Sequence, residues 1–285
     1  MRSYLRSRVL PFAALVLLAG QVQGQPPAGQ RVFSCGHSFH YFMPGILADL
    51  AKGGDIKDHK QVGLSAIGGS RVYQHWNVPP EKNKAKQALQ AGEVDVLTLS
   101  PIYLPDDGIE NFARLALEKN PKVRVFVQEF WLPFDMYEPT FTKRPTEVDH
   151  DSFTIDALRK MHEPYFKSMD EHVIELNKKL NTSAIHVTPV GQAVLELRAK
   201  ILDGKAPGLK KQSDLFTDPI GHAKAPLQAL NAYVHYAVIY GKSPVGLPMP
   251  QVLKAAKAEE PLNRLLQEIA WQAATSHPLS GIKAR

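Results

Sequence analysis

The run Arg31-Val32-Phe33-Ser34-Cys35 leads straight into Gly36-His37-Ser38-Phe39-His40, and this junction decides how the chain is read. The first five residues are β-type and largely apolar. The stretch from Phe39 to Lys52 is apolar and helix-like. Ser38 therefore stands at a strand-to-helix turn, where its hydroxyl is exposed and the free N–H groups of a helix start face whatever it attacks. Gly36 supplies the small residue that a tight turn of this kind usually needs. Many strand–Gly–Ser–helix junctions are merely turns. This one gains weight from an Asp and a His near the other end of the chain, in Asp218-Pro219-Ile220-Gly221-His222.

Working outward toward the N-terminus, residues 1–24 read as an export signal. Arg2, Arg6 and Arg8 make a basic start, and Val9 to Ala19 is an apolar run too short to span a bilayer. Val22-Gln23-Gly24 then offers small residues for cleavage before Gln25. An uncleaved membrane anchor is the competing reading. No later segment is long and apolar enough to cross a membrane, so no stable membrane insertion is expected after cleavage. Loss of the signal removes three arginines and no acid, which lowers the formal net charge from +6 to +3. That balance is ordinary and gives no support for a nucleic-acid partner. Cys35 is the only cysteine, so the chain has no internal disulfide framework. Its place at the end of an apolar strand suits a buried, inert thiol.

Toward the C-terminus, β-type and helix-type runs alternate. Val62–Ile67, Val94–Leu99, Val123–Phe130 and Ala184–Val187 read as further strands. Between and after them, helices are expected at Lys82–Ala91, Ile109–Lys119, Thr154–Leu180 with an interruption at Pro164, Ala193–Leu202, Leu227–Tyr240 and in the C-terminal part. Near-continuously apolar strands separated by helices imply a mainly parallel sheet covered on both faces, an α/β/α sandwich. Ligands of such sheets gather beyond the carboxyl ends of the strands. Ser38, Gly69, Ser100 and Glu129 all fall at those ends. Residues 25–285 are expected to form one domain. Its irregular excursion at about 131–154, rich in Pro and charge, is either a lid near the site or an ordinary surface loop.

Nucleophilic ester hydrolysis needs a serine, a histidine to take its proton, a carboxylate to hold the imidazole, and N–H donors aimed at the developing oxyanion. Ser38, His222 and Asp218 are the candidates, with Asp214 as the alternative carboxylate. Here the sequence resembles the SGNH/GDSL hydrolase superfamily. Gly36-His37-Ser38-Phe39 is similar to its serine block, and Ile67-Gly68-Gly69-Ser70 to its glycine block. Asp218 and His222 precede the last helical region as its Asp and His do. The resemblance implies a flavodoxin-like α/β/α fold, with Ser38 as nucleophile, His222 as base and Asp218 as its orienting partner. The N–H groups of Ser38 and Gly69 would then form part of the oxyanion hole. Three departures stand out. His37 replaces the usual Asp. Three residues rather than two separate Asp218 from His222. The third block, Leu99-Ser100-Pro101-Ile102-Tyr103, has no Asn. Losing one oxyanion donor costs about 2.7–4 kcal/mol of transition-state stabilisation, for which the Ser100 hydroxyl or Gln128, Trp131 or Asn77 is the candidate replacement.

His37, Arg71, Glu129 and Trp131 are the further candidates for substrate contact. Trp131 would offer a flat surface for a sugar, and Arg71 would suit an anionic or acyl oxygen. The competing expectations are a core Trp131 and ion pairs for Glu129 and Arg71. His37 and His40 have a spacing that can bind metal on a helix, but no third ligand is near in sequence, and no metal is expected. Gly241-Lys242-Ser243 lacks the earlier glycine of a phosphate loop, and no Gly-x-Gly-x-x-Gly follows a strand, so no cofactor is expected. The reading that results is an exported serine esterase acting on a small-molecule ester, with a carbohydrate O-acyl group preferred. The alternative is an inactive binding protein on the same fold.

Overall fold

The computed structural model describes residues 28–282. The expected signal peptide, residues 1–24, lies outside them. In chain order the elements are β1 (Arg31–Gly36), α1 (Met43–Gly53), β2 (Lys60–Ala66), α2 (Val72–Trp76), α3 (Lys84–Gln90), β3 (Val96–Leu99), α4 (Asp107–Lys119), β4 (Arg124–Gln128), α5 (Ile155–Lys179), β5 (Ile185–Thr188), α6 (Val190–Leu202), α7 (Ala225–Tyr240), α8 (Gln251–Ala255) and α9 (Glu260–Ser276). The five strands form one sheet in the order β2-β1-β3-β4-β5, and every pairing is parallel. This is the flavodoxin-like doubly wound order, with its switch point between β1 and β3.

Parallel strands need crossovers, and right-handed crossovers on either side of the switch point put helices on both faces. α1, α6, α7, α8 and α9 pack among themselves, and α2, α3 and α4 pack among themselves. The central strands are covered on both sides, which is why Val32, Phe33, Ser34 and Cys35 are all buried in β1. Of the two edge strands, β2 is partly exposed. α7 is buried almost all round, from Ala229 through Tyr240, because it is enclosed by α1, α6, α8, α9 and β5. α1 is amphipathic instead. Met43, Leu47, Leu50 and Ala51 make its buried stripe, and each large side chain there contributes about 1.5–3 kcal/mol of burial.

Two sequence expectations about helices are corrected. The helix anticipated from Phe39 starts at Met43, with Pro44 in its first turn, where the missing N–H has no helical partner to lose. Residues 38–42 form tight turns in which the His37 carbonyl accepts from the N–H groups of His40 and Tyr41 at 2.9 and 3.0 Å. α5 also runs unbroken through Pro164. Pro164 removes the bond to the Lys160 carbonyl, but both residues lie on the exposed face, where water can take that carbonyl.

The excursion at 131–154 holds little regular structure beyond a short 3-10 turn at Pro133–Asp135. It is anchored by a buried charge cluster. Arg198 of α6, fully buried, forks onto the Asp135 carboxylate, donates to Gln212 Oε1 at 2.7 Å and to the His150 carbonyl at 3.0 Å. His150 Nδ1 closes the cluster on Asp135 Oδ2 at 2.7 Å. Burial opposes ionisation of Asp135, yet the His150 and Arg198 partners hold its carboxyl below the usual range.

Candidate active site

The carboxyl end of β1 delivers Ser38. Gly36 is needed there for close approach, because a Cβ would lie 2.6–2.8 Å from the His40 side chain. His40 packs into the core rather than binding a metal, with Nδ1 2.7 Å from Gln128 Oε1 and Nε2 3.0 Å from Thr98 Oγ1. The turn is pinned from above as well. The Phe39 carbonyl accepts from Gln128 Nε2 at 3.1 Å and from Asn231 Nδ2 of α7 at 3.0 Å. Ser38 thus sits on a turn whose neighbours are fixed by buried hydrogen bonds, and its own side chain stays half-buried.

The loop ahead of α7 brings the other two groups. His222 Nε2 lies 2.8 Å from Ser38 Oγ, and His222 Nδ1 lies 2.6 Å from Asp218 Oδ2. Asp218 Oδ1 accepts from the N–H groups of Gly221 and His222, both at 3.1 Å. The extra residue between Asp218 and His222 is absorbed in this turn, where Gly221 adopts φ 91°, a conformation that favours glycine. Burial works against the Asp218 charge, but the His222 ring and the two N–H groups outweigh it and hold its carboxyl below the usual carboxylate range. Asp214 is turned elsewhere. Its Oδ2 accepts from the N–H groups of Lys210 and Lys211 at 2.8 and 2.9 Å.

A cavity of about 390 Å³ opens at Ser38 and His222. Gly68 and Gly69 line it, as do His37, Phe39, Ile102, Phe130, Phe141 and Arg144. Among the described residues, nothing accepts a hydrogen bond from the Ser38 or Gly69 N–H. His37 is a cavity wall with a fixed neutral ring. Its Nδ1 accepts from the Phe39 N–H at 3.3 Å, so Nε2 carries the proton toward Ser100 Oγ at 3.1 Å. Burial, helped by neighbouring histidines, pushes its pKa down to about 3.

Five candidates stand away from the cavity, and for Trp131 and Arg71 the structure gives the competing expectation, a core ring and an ion pair. Ser100 is fully buried, with its hydroxyl on His37 and its N–H on the Cys35 carbonyl at 3.1 Å, so it lines no part of the cavity and does not replace the Asn donor. Gln128 is likewise committed to the Phe39 carbonyl and His40, and Asn77 does not line the cavity. Trp131 is 1% exposed, stacks on Phe39 with ring centroids 4.4 Å apart, and donates Nε1–H to the Gly221 carbonyl at 2.8 Å. It is a support under the site, not a surface for a sugar. Arg71 binds the Pro105 carbonyl and stands 3.7 Å from Asp106, whose carboxylate caps the N–H groups of Val72 and Tyr73 at 2.6 and 2.9 Å. It ties two loops together away from the cavity.

Glu129 is also withdrawn from the cavity, because its side chain points into the α5–α6–α9 side of the sheet. Its Oε1 accepts from Gln192 Nε2 at 3.1 Å and lies 3.6 Å from His277 Nε2, which is 3.3 Å from Asp170 Oδ1. The three side chains come close enough to suggest a cation site. His277 Nε2, however, faces both carboxylates as the cationic member of an ion-pair cluster. A protonated ring offers no lone pair to a metal, so the trio is an ion-pair cluster rather than a set of free ligands. Burial raises the Glu129 carboxyl. Burial alone would lower His277, but Asp170 and Glu129 prevail and lift it to about 9. Cys35 is buried, and that burial raises its thiol pKa far from reactivity.

Sequence reasoning missed Phe141, Arg144, Ile102 and Phe130 as cavity walls. For Phe141 and Arg144 the signal was present, since both lie in the excursion marked as a possible lid. No family model matches the chain, and no curated protein does. Among solved structures, the chain is similar to a provisionally assigned SGNH hydrolase from Slackia heliotrinireducens, with 18% identity, 71% of this chain and 96% of that one covered, and a TM-score of 0.41. A second solved structure is 13% identical over 80% of this chain and 97% of its own, with a TM-score of 0.37. At such scores the roles of individual residues rest on the geometry of this site alone.

Proposed function

We propose that the protein is an exported serine hydrolase that cleaves acyl esters through Ser38, His222 and Asp218. The observation that carries the reading is the continuous chain from Ser38 Oγ to His222 Nε2 and from His222 Nδ1 to Asp218, at the mouth of a cavity. Asp218 holds the proton on Nδ1, so Nε2 is free to accept the Ser38 proton as Oγ attacks the ester carbonyl carbon. The carbonyl oxygen becomes an oxyanion and takes up the N–H groups of Ser38 and Gly69. The imidazolium then gives its proton to the departing alcohol, leaving an acyl-serine. Water, deprotonated by His222, attacks that ester and releases the acid. No step calls for a cofactor.

The export part rests on residues 1–24. Among the described residues no helix is long and apolar enough to cross a membrane. A carbohydrate alcohol half has lost the support of Trp131, and the apolar cavity favours an apolar group beside Ser38. The unreplaced third donor favours a second reading, a binding protein that keeps the site without turnover. A fluorophosphonate probe separates the two without knowledge of the substrate. Stoichiometric labelling at Ser38, lost in His222→Ala, supports the hydrolase. Folded protein that neither labels nor hydrolyses 4-nitrophenyl esters of any chain length, nor sugar acetates, would move the conclusion to the binding protein.

A further inference from the structure

The cavity at Ser38 has mainly apolar walls, with Tyr41, His37 and His222 as its polar lining beside Ser38, and a single charged side chain of fixed sign. Phe39, Ile102, Phe130, Pro133, Phe141 and Ile220 supply apolar surface. A sugar hydroxyl set against them would lose water without gaining a partner, at a cost of about 1–3 kcal/mol each. No carboxylate lines the cavity, and Arg144 is its one permanently charged residue. Among the described residues no acid pairs with Arg144. Its guanidinium stands instead over the Phe141 ring, 4.9 Å from the centroid.

The turn bearing these two residues is built. The Glu138 carboxylate accepts from the N–H groups of Thr140, Thr142 and Lys143 at 3.2, 2.7 and 3.2 Å, and the Phe141 N–H bonds the Glu138 carbonyl at 3.0 Å. These bonds hold the Glu138 carboxyl below its usual range, the largest contribution being the Thr140 hydroxyl. They also hold Phe141 at φ 53°, a left-handed conformation that costs a side-chain-bearing residue about 1–2 kcal/mol. The outcome is a Phe141 ring beside Gly69 and packed toward Tyr103 and Phe134, with centroids 6.4 Å from each. The turn thus holds an aromatic ring against the glycine block with an unpaired guanidinium on its face.

We propose that the substrate is an amphiphilic ester with an apolar body and an anionic group, the body contacting Phe141 and the anion contacting Arg144. This rests on the serine-hydrolase reading of the same cavity. Binding energy from the remote charge would raise kcat/KM by holding the ester against Ser38, without supplying the missing oxyanion donor. Glu138 is a positioning residue, acting through the turn.

The test uses matched probes on the full mature chain. These are 4-nitrophenyl hexanoate against the 4-nitrophenyl monoester of adipic acid, which puts a carboxylate at the end of the acyl half, and 4-(hexanoyloxy)benzamide against 4-(hexanoyloxy)benzoate, which puts it on the leaving half. One charged probe is expected to exceed its own neutral partner in kcat/KM, and the pair that shows this identifies which half carries the anion. Arg144→Gln should lower kcat/KM for that charged probe about fivefold more than for its neutral partner, chiefly through KM, with partial rescue by Arg144→Lys. Added salt should erode the same advantage. Equal kcat/KM within both pairs, unmoved by Arg144→Gln while fluorophosphonate still labels Ser38, would overturn the proposal and leave the hydrolase reading standing. If labelling fails, calorimetric binding of the same probes to Ser38→Ala, with and without Arg144→Gln, decides the proposal separately. No preference for a charged probe there refutes it.

Discussion

Replacing Trp131 with Phe tests whether the loop carrying Asp218 and His222 is held from below. The indole is buried, stacks on Phe39 and donates to the Gly221 carbonyl at 2.8 Å. Phe keeps the stack but removes the donor. A buried carbonyl left without its partner costs about 1–3 kcal/mol. The smaller ring also leaves a void of roughly 40 Å³, worth about 1 kcal/mol at about 24 cal/mol per Å³. A loss of about 3 kcal/mol is expected, which for a domain of this size lowers Tm by about 6–12 °C. Gly221 donates its N–H to Asp218, so loosening its carbonyl side should also misplace the His222 ring. Fluorophosphonate labelling of Ser38 is then expected to slow about tenfold, since small displacements of a positioned base cost rates of this order. Thermal unfolding and labelling kinetics on the same preparation make the measurement. A Trp131→Phe variant with unchanged Tm and labelling, but weakened binding of sugar esters, would refute this reasoning and return Trp131 to a substrate surface.

The other expectations concern the carboxylates and the buried charges. Asp218→Asn should lower ester hydrolysis by about 10³–10⁴-fold, because the amide stabilises the wrong imidazole tautomer; Asp214→Asn, which touches only the Lys210 and Lys211 N–H groups, should leave the rate within about twofold of wild type. Arg198→Met should destabilise the fold by about 3–5 kcal/mol in urea titration, because it strands Asp135 without its main cation. His277 is raised from 6.5 to about 9, so the stability it contributes is fully present below pH 6.5 and is lost as pH rises through about 9. That amounts to about 3 kcal/mol across the window, and His277→Gln should flatten the curve there, as read by denaturant midpoints at pH 6 and pH 9.5.

What the sequence disclosed followed from local rules, and what it concealed followed from packing. The β1 junction was readable because a strand covered on both faces must be apolar throughout and a close turn must begin with a small residue. The partnership of Ser38 with His222 was readable because parallel topology gathers the carboxyl ends of strands at one edge. Pro164 misled because a proline's effect depends on which way the freed carbonyl faces, and that is a property of the helix's seat on the core. Trp131 and Glu129 flank the end of the same strand, and nothing local says that both face inward. Ser100 stood where an oxyanion donor belongs, but His37, 63 residues away in sequence and at the end of the neighbouring strand, claims its hydroxyl. Such long-range commitments have no signature in the neighbouring residues. Arg144 was hidden by the reverse effect, since an exposed arginine in an irregular segment reads as solvated surface until the turn that aims it is seen.

The excursion at 131–154 was expected as either a lid or a plain loop, and its bonds show why neither word fits the whole of it. Three separate ties join it to the loop that carries Asp218 and His222. Trp131 Nε1–H donates to the Gly221 carbonyl, the Phe134 N–H donates to the Ile220 carbonyl at 3.1 Å, and His150 Nε2 reaches the Asp218 carbonyl at 3.2 Å. His150 is held in turn by Asp135, and Asp135 by Arg198 of α6. A segment so tied cannot swing open without moving the carboxylate and the ring. Its two ends are therefore a cradle for the Asp–His loop, fixed to the sheet's helical layer through a fully buried arginine. Within the excursion, the turn from Glu138 to Arg144 stands clear of these ties, and its Phe141 and Arg144 line the cavity. The division follows from energetics. Residues that set the base must be rigid, because a displaced proton acceptor loses rate steeply. Residues that read the substrate can change without disturbing the base, provided they hang from a turn with its own internal bonds. Substitutions at the exposed Arg144 should consequently alter substrate preference at constant Tm, whereas substitutions at Trp131, Asp135 or His150 should alter Tm and labelling together.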